Sequence, residues 1–333
     1  MTSSLGRGQA SQGGSYYIAE NPPYGAVFTY HLSEGLKSLE DNRRETEKKL
    51  EKEWKDTPYL GYDELERERR QPKPTMVFTI SDASGEVVRS FSAPAKKGFN
   101  RVAWNLTYPT TSAIRGVSEG GRGGDRGSFD ANAGFMVPPG TYTATLSKKV
   151  DGVVTQVSGP VEFEVTRVFE GVLEGTPPVE TAAFMQEVAA LQRSVSAASQ
   201  ALALGFKTVE YFEKALARTT VAPGALDGEV EAFKQKLYDV DQKLSGNRSR
   251  RSMGEPISPT ISTRLRVASR TNGQSDYGPT AMHGRAFEIA AEEFAVVEPE
   301  LRQLLEVELP ALEAKMEAAG VPWTPGRPLP EVQ

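Results

Sequence analysis

Histidine and cysteine, which commonly move protons or hold metals, are scarce in this chain: it has two histidines, His31 and His283, and no cysteine. That excludes a disulfide framework, a thiolate metal site, a cysteine nucleophile and a multi-histidine metal centre within one chain. His283 stands at a helix start beside Met282 and reads as a capping or solvated residue, and His31 as an exposed or neighbour-satisfied strand residue. Carboxylates are plentiful, at 44 Asp plus Glu. A glycosidase needs two of them facing one another across a glycosidic bond, and nothing here marks such a pair. Glu292 and Glu293 lie one turn from an apolar stripe and read as surface. No Gly-x-Ser-x-Gly elbow occurs, and the turn at 81–85 lacks the alternating acidic ligands of a Ca²⁺ loop. The expectation is no catalytic residue, no cofactor and no metal.

The Gly-rich stretch 110–134 is the most suggestive one for a ligand, and it fails both phosphate tests. It has no Gly-Lys-Ser/Thr, and in a Gly-x-Gly-x-x-Gly frame begun at Gly121 the last position is Arg126 rather than glycine. Arg115, Arg122 and Arg126 are offset by Glu119, Asp125 and Asp130, so the stretch reads as a flexible surface insertion or a loop that orders against a partner. Contact chemistry remains. Trp54, Tyr59 and Tyr62, in a highly charged region, are the aromatic candidates for touching a glycan or protein, and Arg115, Arg122 and Arg126 the cationic ones. The basic cluster 248–251 reads as a solvated loop, and the sequons at Asn105 and Asn247 match a pattern that often arises by chance.

These residues must be carried by something, and 333 residues suffice for two or three domains with cores of their own. A net charge of −5 argues against nucleic acid. No run of about 18 apolar residues exists to span a membrane. Residues 1–14 are polar and Gly/Ser-rich, without the apolar stretch of a secretory signal. They read as a flexible segment, either of an intracellular protein or of a chain that begins within a longer secreted one.

Two short strands, 16–19 and 26–32, flank the turn residues 21–25, and 15–32 is expected to join a sheet. Over 33–73 charge is dense. The pairs Glu40/Arg44, Glu45/Lys49 and Glu51/Lys55 support a helix at about 34–55 and a second near 62–71, a hairpin projecting from or lying over a β domain. Leu36, Leu39, Leu50 and Trp54 offer it one narrow apolar stripe. Strand patterns return over 74–170 at 76–80, 86–91, 99–106, 141–146, 152–157 and 161–166, which together predict an antiparallel sandwich with the aromatics Trp104 and Tyr142 in its core.

From 176 to 320 the period is helical. A stripe from Phe184 through Val195 and Leu202 to Leu216 predicts one helix of about 40 residues, with Gly205 a weak point. Leu226 to Leu244 repeats the spacing before the stop at Gly246, and a short helix is placed at 261–268. In the last helix, 279–319, the stripe shifts by one residue after Leu304, which a kink at Pro299 and Pro310 would explain. The prediction is an antiparallel bundle, or a coiled-coil-like hairpin closed by a third helix, with 321–333 an extended Pro-rich tail along it. The fold class is therefore α+β: an Ig/fibronectin-like sandwich with a charged helical-hairpin insertion, then a helical bundle.

Several stretches in combination resemble a known family. Residues 21–30, Asn-Pro-Pro-Tyr-Gly-Ala-Val-Phe-Thr-Tyr, are similar to the strand that opens the C-terminal module of large secreted bacterial sortilin-like, BNR-repeat β-propeller proteins. Residues 82–89, 97–105 and 137–142 resemble that module's Ig-like sandwich, and 286–294 and 321–326 its helical tail. The resemblance covers about residues 15–328, without the propeller. It implies an extracellular or periplasmic, non-catalytic accessory module that acts through a protein partner or self-association, beside an upstream propeller. A glycan-binding module is the alternative. The resemblance transfers no functional residues.

Overall fold

The computed structural model describes residues 22–114, 133–171, 174–220, 222, 224, 226–271 and 277–330. It is mixed α+β, with antiparallel strand pairs and several helices. The predicted strand at 16–19 and Arg115, Arg122 and Arg126 lie outside the described residues. The chain divides into two compact units. The first comprises Met1–Ile80, Ser90–Leu106 and Ala144–Val161, and the second Ser81–Arg89, Thr107–Thr143 and Glu162–Gln333.

In the first unit β1 (Ala26–Leu32) pairs antiparallel with β4 (Gly98–Trp104), from Ala26 opposite Trp104 to Leu32 opposite Gly98. Strands β2 (Thr75–Asp82), β3 (Val87–Ala93), β7 (Gly140–Val150) and β8 (Val153–Val165) form a sheet in the order β3-β2-β7-β8, of which the first unit holds residues 75–80, 90–93, 144–150 and 153–161. Alternation along β2 buries Met76, Phe78 and Ile80. Phe78 stacks on Phe28 and Phe91, with centroids 4.9 and 5.7 Å apart, and Trp104 is buried. The turn ending at Gly25 is sterically specific, because Gly25 has φ +104° and a Cβ there would lie 1.9 Å from the Trp104 carbonyl oxygen.

Three strand boundaries differ from the sequence reading. The 99–106 run stops at Trp104, because Leu106 takes φ +58° and starts a separate strand, β5 (Thr107–Pro109). Strand β7 is longer than expected and turns into β8 through Asp151 and Gly152, at φ +48° and +81°, as a two-residue hairpin requires. The two strands placed at 152–157 and 161–166 are one. Pro160 is tolerated inside it because β8 is an edge strand, where a missing N–H breaks no ladder. That edge strand leaves Val153, Val154, Val157 and Val161 exposed.

In the second unit the turn after β2 is set by Asp82, whose carboxylate accepts from the Ser84 and Glu86 N–H groups at 2.9 and 3.0 Å, with Gly85 at φ +87°. Strand β5 pairs antiparallel with β6 (Ala133–Met136). Tyr142 is buried and donates its hydroxyl to the Pro138 carbonyl at 2.7 Å. Burial pushes its pKa up to about 12. The fold thus favours the neutral phenol, a contribution complete below the unfolded pKa of about 10 and lost as pH rises through about 12. Ultraviolet absorbance titration should place the Tyr142 ionisation among the late phenols, coinciding with loss of structure. Tyr142→Phe should remove it, and an unchanged titration would contradict this.

Helices α3 (Pro178–Leu216, 39 residues), α4 (Asp227–Ser245), α5 (Arg248–Ser252), α6 (Ile261–Ala268), α7 (Ala281–Gln303) and α8 (Leu309–Ala318) make up the rest. Helix α3 packs on α4, α6 and α7. The expected stripes are the buried ones, through Val188, Val195, Leu202 and Phe212 on α3 and Val230, Phe233, Leu237 and Leu244 on α4. Gly205 is buried against Leu305 and Leu237, 3.1 and 3.4 Å from where a Cβ would sit, so it serves close approach as well as weakening the helix. A π-helical turn, Leu304–Glu308, joins α7 to α8, in place of the expected simple kink. Pro310 has no N–H for the Glu306 carbonyl, and the wider turn takes up the extra residue in the apolar pattern. The 321–330 tail is not simply extended. It turns between Thr324 and Arg327, and the buried Arg327 guanidinium donates to the Pro322 carbonyl at 2.9 Å and pairs with Glu317.

Candidate functional site

The aromatic candidates sit on a helix pair in the first unit. Helix α1 (Leu39–Lys52) begins later than the predicted residue 34 because Ser38 and Asp41 form a capping box. Ahead of it, the Leu36 N–H instead donates to the Ala95 carbonyl at 2.9 Å. Helix α2 (Tyr62–Arg70) follows after a nine-residue connection, 53–61. Neither helix buries a single residue. Ionic contacts tie them together. Arg43 Nε reaches Glu68 at 2.9 Å while its Nη1 reaches Glu47 at 2.8 Å, and Gln71 accepts from the Leu39 N–H at 2.7 Å. Of the three expected pairs, Glu40–Arg44 forms at 2.6 Å, whereas Glu45 turns to Lys37 and Lys55 to Glu53. Hydrogen bonds from Arg69 and Arg70 pull the Glu66 carboxyl down to about 2.

Trp54 does not join an apolar stripe. Helix α1 has ended by then, with the Lys55 N–H donating back to the Leu50 carbonyl at 2.9 Å in a Schellman closure. That closure needs a left-handed residue, normally glycine, and Trp54 supplies it at φ +58°. Its side chain is 97% exposed. Leu39, expected in the same stripe, is exposed too. Further along the connection Tyr59 and Tyr62 meet edge to face at 6.3 Å and are 78% and 81% exposed. Hydrogen bonding with Tyr62 raises the Tyr59 phenol above its usual range. The arrangement presents aromatic faces and hydroxyls amid charged helices, chemistry suited to contact.

The other candidates have local roles. His283 Nδ1 accepts from the Thr280 N–H at 3.0 Å as part of the α7 cap. His31 is exposed and meets Phe99 edge-on at 5.0 Å. Glu293 pairs with Arg264 at 3.2 Å and Glu292 with Arg285 at 3.7 Å. In the basic cluster Arg248 reaches the buried Asp241 at 2.8 Å, and the Asn247 side chain caps α5. Among the described residues no group of three or more His, Asp or Glu side chains is placed to hold a metal ion. No described helix is long and apolar enough to cross a membrane.

Sequence reasoning missed a polar groove of about 760 Å³ in the second unit, where Arg266 and Arg270 face the same space as Gln192, Ser196 and Gln200 of α3. A signal was available, since neither arginine has an acidic residue three or four positions away to pair with along a helix. Compared with known protein families, curated proteins and solved structures, the chain matches none.

Proposed function

We propose that the chain is a non-catalytic interaction module of a secreted bacterial protein of the sortilin-like, BNR-repeat β-propeller kind, mediating protein–protein contact or assembly. The observation that carries this reading is Trp54, a fully exposed tryptophan held at positive φ on a helix pair with no buried residue. A left-handed conformation costs an L-residue about 1–2 kcal/mol. Packing within the fold does not account for it, and strained, exposed aromatics are typical of contact sites. The motif resemblance over residues 15–328 supports the extracytoplasmic location and the propeller as neighbour. We infer an Ig-like sandwich followed by a helical bundle; the strand order β3-β2-β7-β8, the buried Trp104 and the Tyr142 hydroxyl bonded four residues upstream favour it.

The test is light scattering after size exclusion over a hundredfold concentration range, on the full chain and on Trp54→Gly. The native chain should associate with rising concentration. Trp54→Gly should gain about 1 kcal/mol in stability, because glycine fits the closure, yet stay monomeric. A variant that assembles like the native chain, or a native chain monomeric throughout, would remove self-assembly through this surface.

Glycan binding by Trp54, Tyr59 and Tyr62 is the second reading, favoured by the exposure of all three. Affinity electrophoresis in gels cast with neutral polysaccharides separates the two, since only glycan binding retards the native chain relative to Trp54→Gly.

A further inference from the structure

The groove between the 110–113 segment, α3 and α6 is biased toward hydrogen-bond donors. Its rim is held in place by α3, where the Ala113 N–H donates to Ser196 Oγ at 2.8 Å and the Thr111 hydroxyl to Gln192 Oε1 at 3.3 Å. Both contacts use the acceptor capacity of the α3 side chains. The Ser196 hydroxyl proton and the Gln192 amide N–H groups therefore remain available as donors. Arg266 on α6 and Arg270 in the 3₁₀ turn behind it (Ser269–Thr271) are exposed and make no ion pair among the described residues. Among the described residues no carboxylate lines this groove. By contrast, the grooves lined by Glu210 and Asp241, by Glu293, and by Glu298 and Glu306 all hold acids. In a chain of net charge −5 this local excess of cationic donors stands out. Phe135, Val195 and Leu265 give the groove an apolar floor, and its volume lies in the usual range for small-molecule sites.

We propose that this groove binds a short, carboxylate-bearing oligosaccharide. The two guanidinium groups take the carboxylate oxygens, for which their planar donor geometry is suited. Serine and threonine hydroxyls around the rim, which both donate and accept, exchange hydrogen bonds with the sugar hydroxyls. The fixed rim lowers the ordering cost of binding. The site uses none of the aromatic residues of the α1–α2 pair and does not rest on the reading given for them.

The probes are trigalacturonate and, as the uncharged oligosaccharide of equal length, maltotriose, each titrated calorimetrically into the full chain and into Arg266→Gln/Arg270→Gln. Both arginines are exposed, and circular dichroism should confirm an unchanged fold in the variant. Trigalacturonate should bind the native chain, weaken with added salt, and lose at least about tenfold in affinity in the variant, given the strength of charged hydrogen bonds. Maltotriose should bind no better than the variant binds trigalacturonate. Absence of trigalacturonate binding, equal affinity in the variant, or equally tight binding of maltotriose would each overturn the proposal.

Discussion

Phe212→Ala is expected to lower the unfolding free energy by about 3–5 kcal/mol. The ring is fully buried on α3, in one cluster with Leu237, Leu244 and Met316, which are likewise inaccessible to solvent. Removing it withdraws apolar surface and leaves a space that the surrounding side chains of the cluster would have to close. Interiors at crystal density relax only partly, so the cavity adds to the transfer cost. Domains of this size hold about 5–15 kcal/mol in total, so the loss would be a large fraction. Denaturant unfolding followed by circular dichroism measures it, and Phe212→Leu, which keeps most of the volume, should cost only about 1 kcal/mol. A loss below about 1 kcal/mol for the alanine variant would mean that the helices do not share a packed core.

Gly25→Ala should be nearly as damaging, at about 3 kcal/mol or more, for a different reason. The added methyl would enter the carbonyl oxygen of Trp104, at a φ that only glycine adopts readily. That oxygen belongs to the backbone and cannot rotate away as a side chain would. Because Ala26 lies opposite Trp104, the clash falls at the first rung of the β1–β4 ladder. Amide hydrogen exchange should report the damage as lost protection along β1, with α3 and α4 unaffected. Gly228→Ala, with open space around it in the first turn of α4, is the control and should be neutral or slightly stabilising. Retained β1 protection in Gly25→Ala would disprove the close approach.

What could be read from residue order follows the strength of local signals. Helix α6 falls at the predicted 261–268, and α3 has nearly its predicted length, because apolar periodicity and caps are encoded within a few residues. The Ser81–Gly85 turn was legible for the same reason. Properties that depend on distant partners were not. Residues 152–157 and 161–166 read as two strands, and only the edge position of β8 lets Pro160 lie inside a single one. Trp54 looked like packing, and only the helix ending at residues 52–53 turns it outward. The ion pairs of Glu45 and Lys55 went to partners other than the helical i,i+4 ones, since surface charges separated by fractions of a kcal/mol follow small differences in geometry.

Of the proposed contact residues, the aromatic trio was visible as exposed types in a charged context. The α3 face of the groove was not, because Gln192, Ser196 and Gln200 are ordinary helix-surface residues until the 110–113 segment lies against them. Spacing alone made Arg266 and Arg270 unusual.

The π turn at Leu304–Glu308 bears on how chains of this kind can be compared with one another. It is one residue inserted into a helix, and everything after it, including Leu312, Met316 and Val321 in the core, is numbered one position later than an uninterrupted repeat would have it. A relative that lacks the insertion would match this chain on either side of the turn but in two different frames. Aligning the two correctly requires a single gap in mid-helix, where alignment schemes penalise gaps most heavily. Without it, the C-terminal segment would pair buried positions with exposed ones and look unrelated.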